Sequence, residues 1–274
     1  MRTFDPPSPR YYKASLRTRG QDSDAMRRMQ AMWDGISNCR HWGVTYGAHS
    51  WGYTVLRTIY SEESNELWPV ALAKLERWVT QYFVHETRLA VPRFTDGSVN
   101  EEMGRRFVLE TLQDPQSEPL QIPDMSKASR AEILALADVF DAWYYDVVGG
   151  NQDARRFNPR FWDFLVIDEA ALRSLVKLPD ELPPTDPAPR EERRARDIYW
   201  DFAYVWLVDP QAARRYKGID NDENYDGVMK LSPADIPSSW FERVAMTLQS
   251  DSHIFLRQEI PTGSGSLWYR TQGF

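Results

Sequence analysis

The chain has 274 residues, 42% hydrophobic and 27% charged, enough to bury one large core or two small ones and too apolar for a disordered chain. Its net charge of −7 is uneven: Arg2, Arg10, Lys13, Arg17 and Arg19 against Asp5 leave −11 on the remainder, and an acidic body suits no nucleic-acid partner. Cys39 is the single cysteine, which excludes an internal disulfide, and no apolar run or leader pattern suggests a membrane partner, so a cytoplasmic setting is expected.

Residues 1–24 are basic and rich in proline and serine, and read as a flexible arm before a single domain over residues 25–274. A helical pattern at 24–36 precedes a strand at 50–60, with Trp51, Tyr53, Val55, Arg57 and Ile59 on one face. Residues 67–83 repeat apolar positions at Leu67, Ala71, Leu75, Trp78 and Tyr82, as a helix does. A loop at 89–99 and a shorter helix at 101–112 follow. Ser129 and Glu132 then form a capping box ahead of the stripe Ile133, Leu136, Ala137, Phe140, Tyr144 and Val147, and Gly149-Gly150 ends that helix.

Residues 161–167 and 202–208 are nearly continuous apolar runs, the pattern of central strands covered on both faces. The connection 179–194 is rich in proline and charge and is expected to be exposed. An acidic turn at 220–226 leads to a strand at Val228, then a helix at 237–248 and two short closing strands near 254–256 and 267–269. One junction recurs four times: a short apolar run, a capping residue, then a helical pattern. The caps are Ser61, Asp168, Asp209 and Ser232, whose side chains suit the free N–H groups of a first helical turn. Strand-then-helix units around a sheet follow from this.

Chemical motifs are few. Leu165-Val166-Ile167-Asp168-Glu169 has the form of a Mg²⁺-holding strand end, but no phosphate loop G-x-x-x-x-G-K-[ST] accompanies it. Asp168 is therefore read as a helix cap, and acidic residues at the helix starts disfavour phosphate binding there. The stretch beginning Asp220-Asn221-Asp222 starts like a calcium loop, yet has Tyr225 and Leu231 where glycine and glutamate are needed. Asp138 and Asp146 lie opposite the apolar stripe of their helix and Asp141 at its border, so they are expected to face water. The four histidines and Cys39 show no metal-ligand spacing. No metal and no cofactor are expected.

Arg57 stands on an apolar strand face and must be paired if buried. Either it bridges a carboxylate such as Asp168 or Asp209, or it clamps a carboxylate-bearing ligand. The segment around it gathers donors and rings, so His41 and His49 are the candidate acid–base residues and Trp42, Tyr53 and Arg57 the candidate ligand contacts.

At Trp51-Gly52-Tyr53, Arg57-Thr58 and Tyr60 the chain resembles a group of filamentous-fungal proteins with no established activity. The Val166-Ile167-Asp168-Glu169, Leu207-Val208-Asp209 and Gly227-Val228-Met229 segments fit the same resemblance. It implies a fungal origin and an intracellular setting and carries over no functional residue. The expected fold is α+β: a mixed sheet of about four to six strands, helices mainly on one face and a ferredoxin-like core, with a doubly wound α/β sheet as the alternative. The expected function is a small-molecule-binding protein or metal-independent enzyme of fungal metabolism, the alternative an interaction protein with an exposed aromatic patch.

Overall fold

The computed structural model describes residues 4–6, 36, 46–90, 98–112, 120–149, 155, 158–181, 202–218, 226–244, 257–259 and 268–270. Cys39, His41, Trp42, the acidic turn at 220–225 and most of the 1–24 arm, the 24–36 helix and the 179–194 connection lie outside them.

The chain forms the expected α+β fold around one mixed sheet, which has seven strands among the described residues. These are β1 (Thr54–Arg57), β2 (Glu110–Leu112), β3 (Phe164–Ile167), β4 (Val205–Val208), β5 (Val228–Leu231), β6 (Arg257–Glu259) and β7 (Trp268–Arg270). Their order is β2-β1-β3-β4-β5-β7-β6. β1 is parallel to both β2 and β3, while β4 is antiparallel to β3 and β5. The parallel trio corrects the ferredoxin-like expectation, because that core alternates strand direction throughout, whereas a hundred-odd residues of helical crossover here return β3 alongside β1 in the same direction.

Among the described residues six α-helices pack around the sheet: α1 (Glu62–Ala90), α2 (Ser98–Arg105), α3 (Arg130–Val148), α4 (Glu169–Val176), α5 (Pro210–Tyr216) and α6 (Ile236–Val244). All four expected caps are in place. Ser61 Oγ accepts from the Ser64 N–H, Asp168 from Ala171, Asp209 from Gln211 and Ala212, and Ser232 from Ala234. The capping box of α3 forms as read, and Gly149 takes the left-handed conformation at its end with φ 62°.

Two elements differ from the sequence reading. The 50–60 strand is shorter, because Gly52 has φ +126° and breaks the extended run. A Cβ there would lie 2.3 Å from the Val108 carbonyl oxygen, so only glycine lets the chains approach. Trp51 makes an isolated bridge to Phe107 instead. Likewise the helix read at 101–112 ends at Arg105. Backbone hydrogen bonds from Val108 to Trp51 and from Glu110 to Tyr53 turn its second half into the edge strand β2, so tertiary pairing overrides local pattern.

The central strands are buried at every position, as expected of strands covered on both faces. On one face Arg57 meets the start of α1 and the Tyr53 hydroxyl meets Ser239 of α6 at 2.6 Å. On the other, Phe164 packs on Phe140 of α3, with ring centroids 4.9 Å apart. Arg214 of α5 pairs with Asp138 and Asp141 of α3, so these acids serve as a docking face; Asp138 and Asp146 are exposed as expected. α1 and α4, which follow β1 and β3, are joined at two places. Arg173 pairs with Glu63 near their starts, and Lys74 donates to the Val176 and Leu178 carbonyls at the end of α4.

Candidate functional site

The winding of the parallel strands singles out one edge of the sheet. From β1 the chain passes through α1 to β2 on one side; from β2 it passes through α3, across the opposite face, to β3 on the other side of β1. The helices that follow β1 and β3, α1 and α4, pack side by side on one face, and their first turns frame a crevice outside the carboxyl ends of those two strands.

A cleft of about 170 Å³ lies there, lined by Thr58–Ser61 from the end of β1, Glu63, Ser64 and Leu67 of α1, Gln121 and Pro123, and Glu169, Leu172 and Arg173 of α4. Its floor is polar but satisfied: Thr58 Oγ1 donates to the Ile122 carbonyl at 2.8 Å, and Ser64 Oγ donates to the Ser61 carbonyl. Its rim is an ionic lock. Arg173 holds Glu63 through two hydrogen bonds of 2.9 Å and reaches Glu169 at 2.9 Å. These bonds hold Glu63 below the usual carboxylate range and Arg173 above its own ordinary value.

Asp168 backs this edge from inside. It is fully buried, and one carboxylate oxygen caps α4 while the other accepts from the Met125 N–H at 2.9 Å and the Trp206 indole at 2.8 Å. Burial raises its pKa and the three donors oppose the rise. Beyond Trp206, the ammonium of Lys230 sits among three rings: 4.2 Å from the centroid of Tyr204, 5.2 Å from Trp206 and 5.5 Å from Trp268. Register explains the cluster, since Trp206 lies opposite Lys230 and Lys230 opposite Trp268, all on the face of Val166.

The residues singled out from sequence are not gathered into one site. Tyr53 and Arg57 share a face of β1 but stand near its opposite ends, four residues or about 13 Å of strand apart. Tyr53 is spent on Ser239, within the core. His49 lies before the strand with φ 60°, buried, its carbonyl accepting from Arg106. Arg57 is 8% exposed, but no carboxylate pairs with it among the described residues, which overturns the expected bridge to Asp168 or Asp209. It donates instead to the Ile59 carbonyl, Ser64 Oγ and Asn65 Oδ1 and lies over the rings of Tyr60 and Trp68. Neutral acceptors and ring faces replace the acid, so Arg57 anchors the first turn of α1 to the end of β1.

Sequence reading missed Glu63, Glu169 and Arg173 as a set, and Lys230. The first three become neighbours only when α1 and α4 align. For Lys230 the signal was present: a lone charge within the apolar run Val228-Met229-Lys230-Leu231.

Among the described residues no three His, Cys, Asp or Glu side chains are grouped to hold a metal ion, and no helix is long and apolar enough to cross a membrane. The exposed large hydrophobics among them, Val70 and Tyr145, stand on separate helices rather than in an aromatic patch. No protein-family model, curated protein or solved structure matches the chain.

Proposed function

We propose that this protein binds a small polar molecule, without net negative charge, in the cleft outside the carboxyl ends of β1 and β3. The observation that carries the reading is the position of that cleft at the carboxyl ends of two adjacent parallel strands, the edge of a parallel sheet at which ligands bind. Two helix starts converge on it and would ordinarily favour an anion, but Glu63 and Glu169 already occupy that role. Gln121 and the hydroxyls of Thr58, Tyr60 and Ser61 supply polar contacts, and Ile59, Leu67, Pro123 and Leu172 supply apolar ones. Binding is proposed to need no divalent metal.

The reading extends to the filamentous-fungal proteins that the W-G-x-x-x-x-R-T-x-Y segment resembles. Thr58 and Tyr60 of that segment line the cleft, and its Arg57 fixes the helix that forms the opposite wall. The test is a retained ligand. Native mass spectrometry of protein purified from its own cells should show a small adduct that survives EDTA, and Leu67→Trp, which fills the cleft from α1, should lose it while folding normally. An adduct that persists in Leu67→Trp, or one removed by EDTA, would overturn the reading.

A further inference from the structure

Lys230 differs from other charged side chains around it in having no counter-charge. Asp168 already accepts from three donors, and Asp124 is taken by Lys127 at 2.7 Å and by Ser126. Among the described residues the Lys230 ammonium makes neither a hydrogen bond nor an ion pair; only ring faces surround it. Tyr204 stands edge-on to both Trp206 and Trp268, at 88° and 69°, so the rings form a walled niche rather than a flat stack. The side chain is partly buried rather than sealed.

We propose that Lys230 is a nucleophilic amine that captures an aromatic aldehyde as an imine. The rings of Tyr204, Trp206 and Trp268 would flank the aldehyde's own ring, and the amine lies between them. In the step, the ammonium first gives a proton to solvent. The free Nζ then adds to the carbonyl carbon, the carbonyl oxygen takes up a proton, and loss of water leaves a C=N bond, with no oxidant or reductant required. An amine partly withdrawn from water and lacking a paired acid is a common form of a reactive lysine. Burial lowers the pKa of Lys230, against a weaker opposing pull from Asp168 and Asp124. Tyr204, raised by burial, stays protonated beside it and can donate to the developing oxygen.

The other five lysines are internal controls. Lys127, held protonated by Asp124, is the contrasting case. The full chain is incubated with benzaldehyde and cyanoborohydride near neutral pH, and each lysine's benzylation is followed by peptide mass spectrometry. Lys230 is expected to label several-fold faster than Lys127, because burial favours its free amine while the Asp124 pair holds Lys127 protonated. Tyr204→Leu, which opens the niche, should bring its rate towards that of the controls. Lys230 labelling at or below the rate of Lys127 in the folded wild type would overturn the proposal, as would equal labelling of Lys230 in folded and urea-unfolded protein.

Discussion

Where β3 begins, Asp163 and Arg243 meet with no exposed surface on either side chain; at the other edge of the same sheet, Lys230 is partly open and touches rings but no acid. Trp162, next to Asp163 in the chain, and Trp240, one turn before Arg243, are both essentially inaccessible, and Asp163 Oδ1 has no hydrogen-bond partner among the described residues. Burial raises the Asp163 carboxyl to about 7, against the opposing charge of Arg243. The carboxyl edge instead carries a cleft, a surface ionic lock and an unpaired amine. A sealed pair of charges specifies packing, because neither member can meet a ligand. An open charge without a partner is available for one.

Breaking the sealed pair should have the largest effect. Asp163→Leu is expected to cost about 3–5 kcal/mol in urea unfolding, since Arg243 cannot shed its proton and would lose this carboxylate. Arg243→Met should cost less in mild acid, because Asp163 can take up a proton. Its folded pKa lies above the unfolded value, so the native state holds the proton longer and the variant's stability must fall as pH rises through the folded pKa. Lys230→Met, by contrast, leaves no acid exposed to loss and should cost about 1 kcal/mol or less. Equal costs for Asp163→Leu and Lys230→Met would erase the distinction between the edges.

Next come the two caps that flank β3 and β4. Asp168→Ala should cost about 2–4 kcal/mol, because it frees a cap N–H and also the buried Met125 N–H and Trp206 indole. Asp209→Ala at the sealed edge should cost only about 0.5–2 kcal/mol, the ordinary loss of a cap. Paired chemical denaturation curves decide the order. Smallest is Arg173→Ala, whose ion pairs are exposed. It should leave the unfolding midpoint unchanged yet alter which ligand the cleft retains, and a large fall in midpoint would make the lock structural.

Local rules made the skeleton legible. The four caps, the capping box and the two apolar strands were readable because each depends on neighbours within a few residues. Arg57 was correctly placed as a buried strand cation, but its partners were wrongly expected to be acids. Ser64 and Asn65, seven and eight residues away, satisfied it before any distant carboxylate was needed. The same argument, that a lone charge in an apolar strand demands explanation, applied equally to Lys230 and would have found it. The cleft was not readable, because Glu63 and Arg173 are 110 positions apart and meet only through the parallel alignment of α1 and α4. Nor was β2, whose strand state comes from pairing with β1 rather than from its own pattern.

The pairing of β1 with β3 also has a consequence for how the chain is made. Val55 aligns with Leu165, so an emerging polypeptide holds the apolar segment from Trp51 to Ile59 without that neighbour while the intervening stretch is synthesised. At ordinary translation speeds of about 5–20 residues per second, that wait lasts roughly 6–22 s. During it the segment is a sticky edge on the ribosome, able to join another nascent chain. A slowed ribosome or a missing holdase should therefore lower the yield of this protein well before any change in the finished fold affects it.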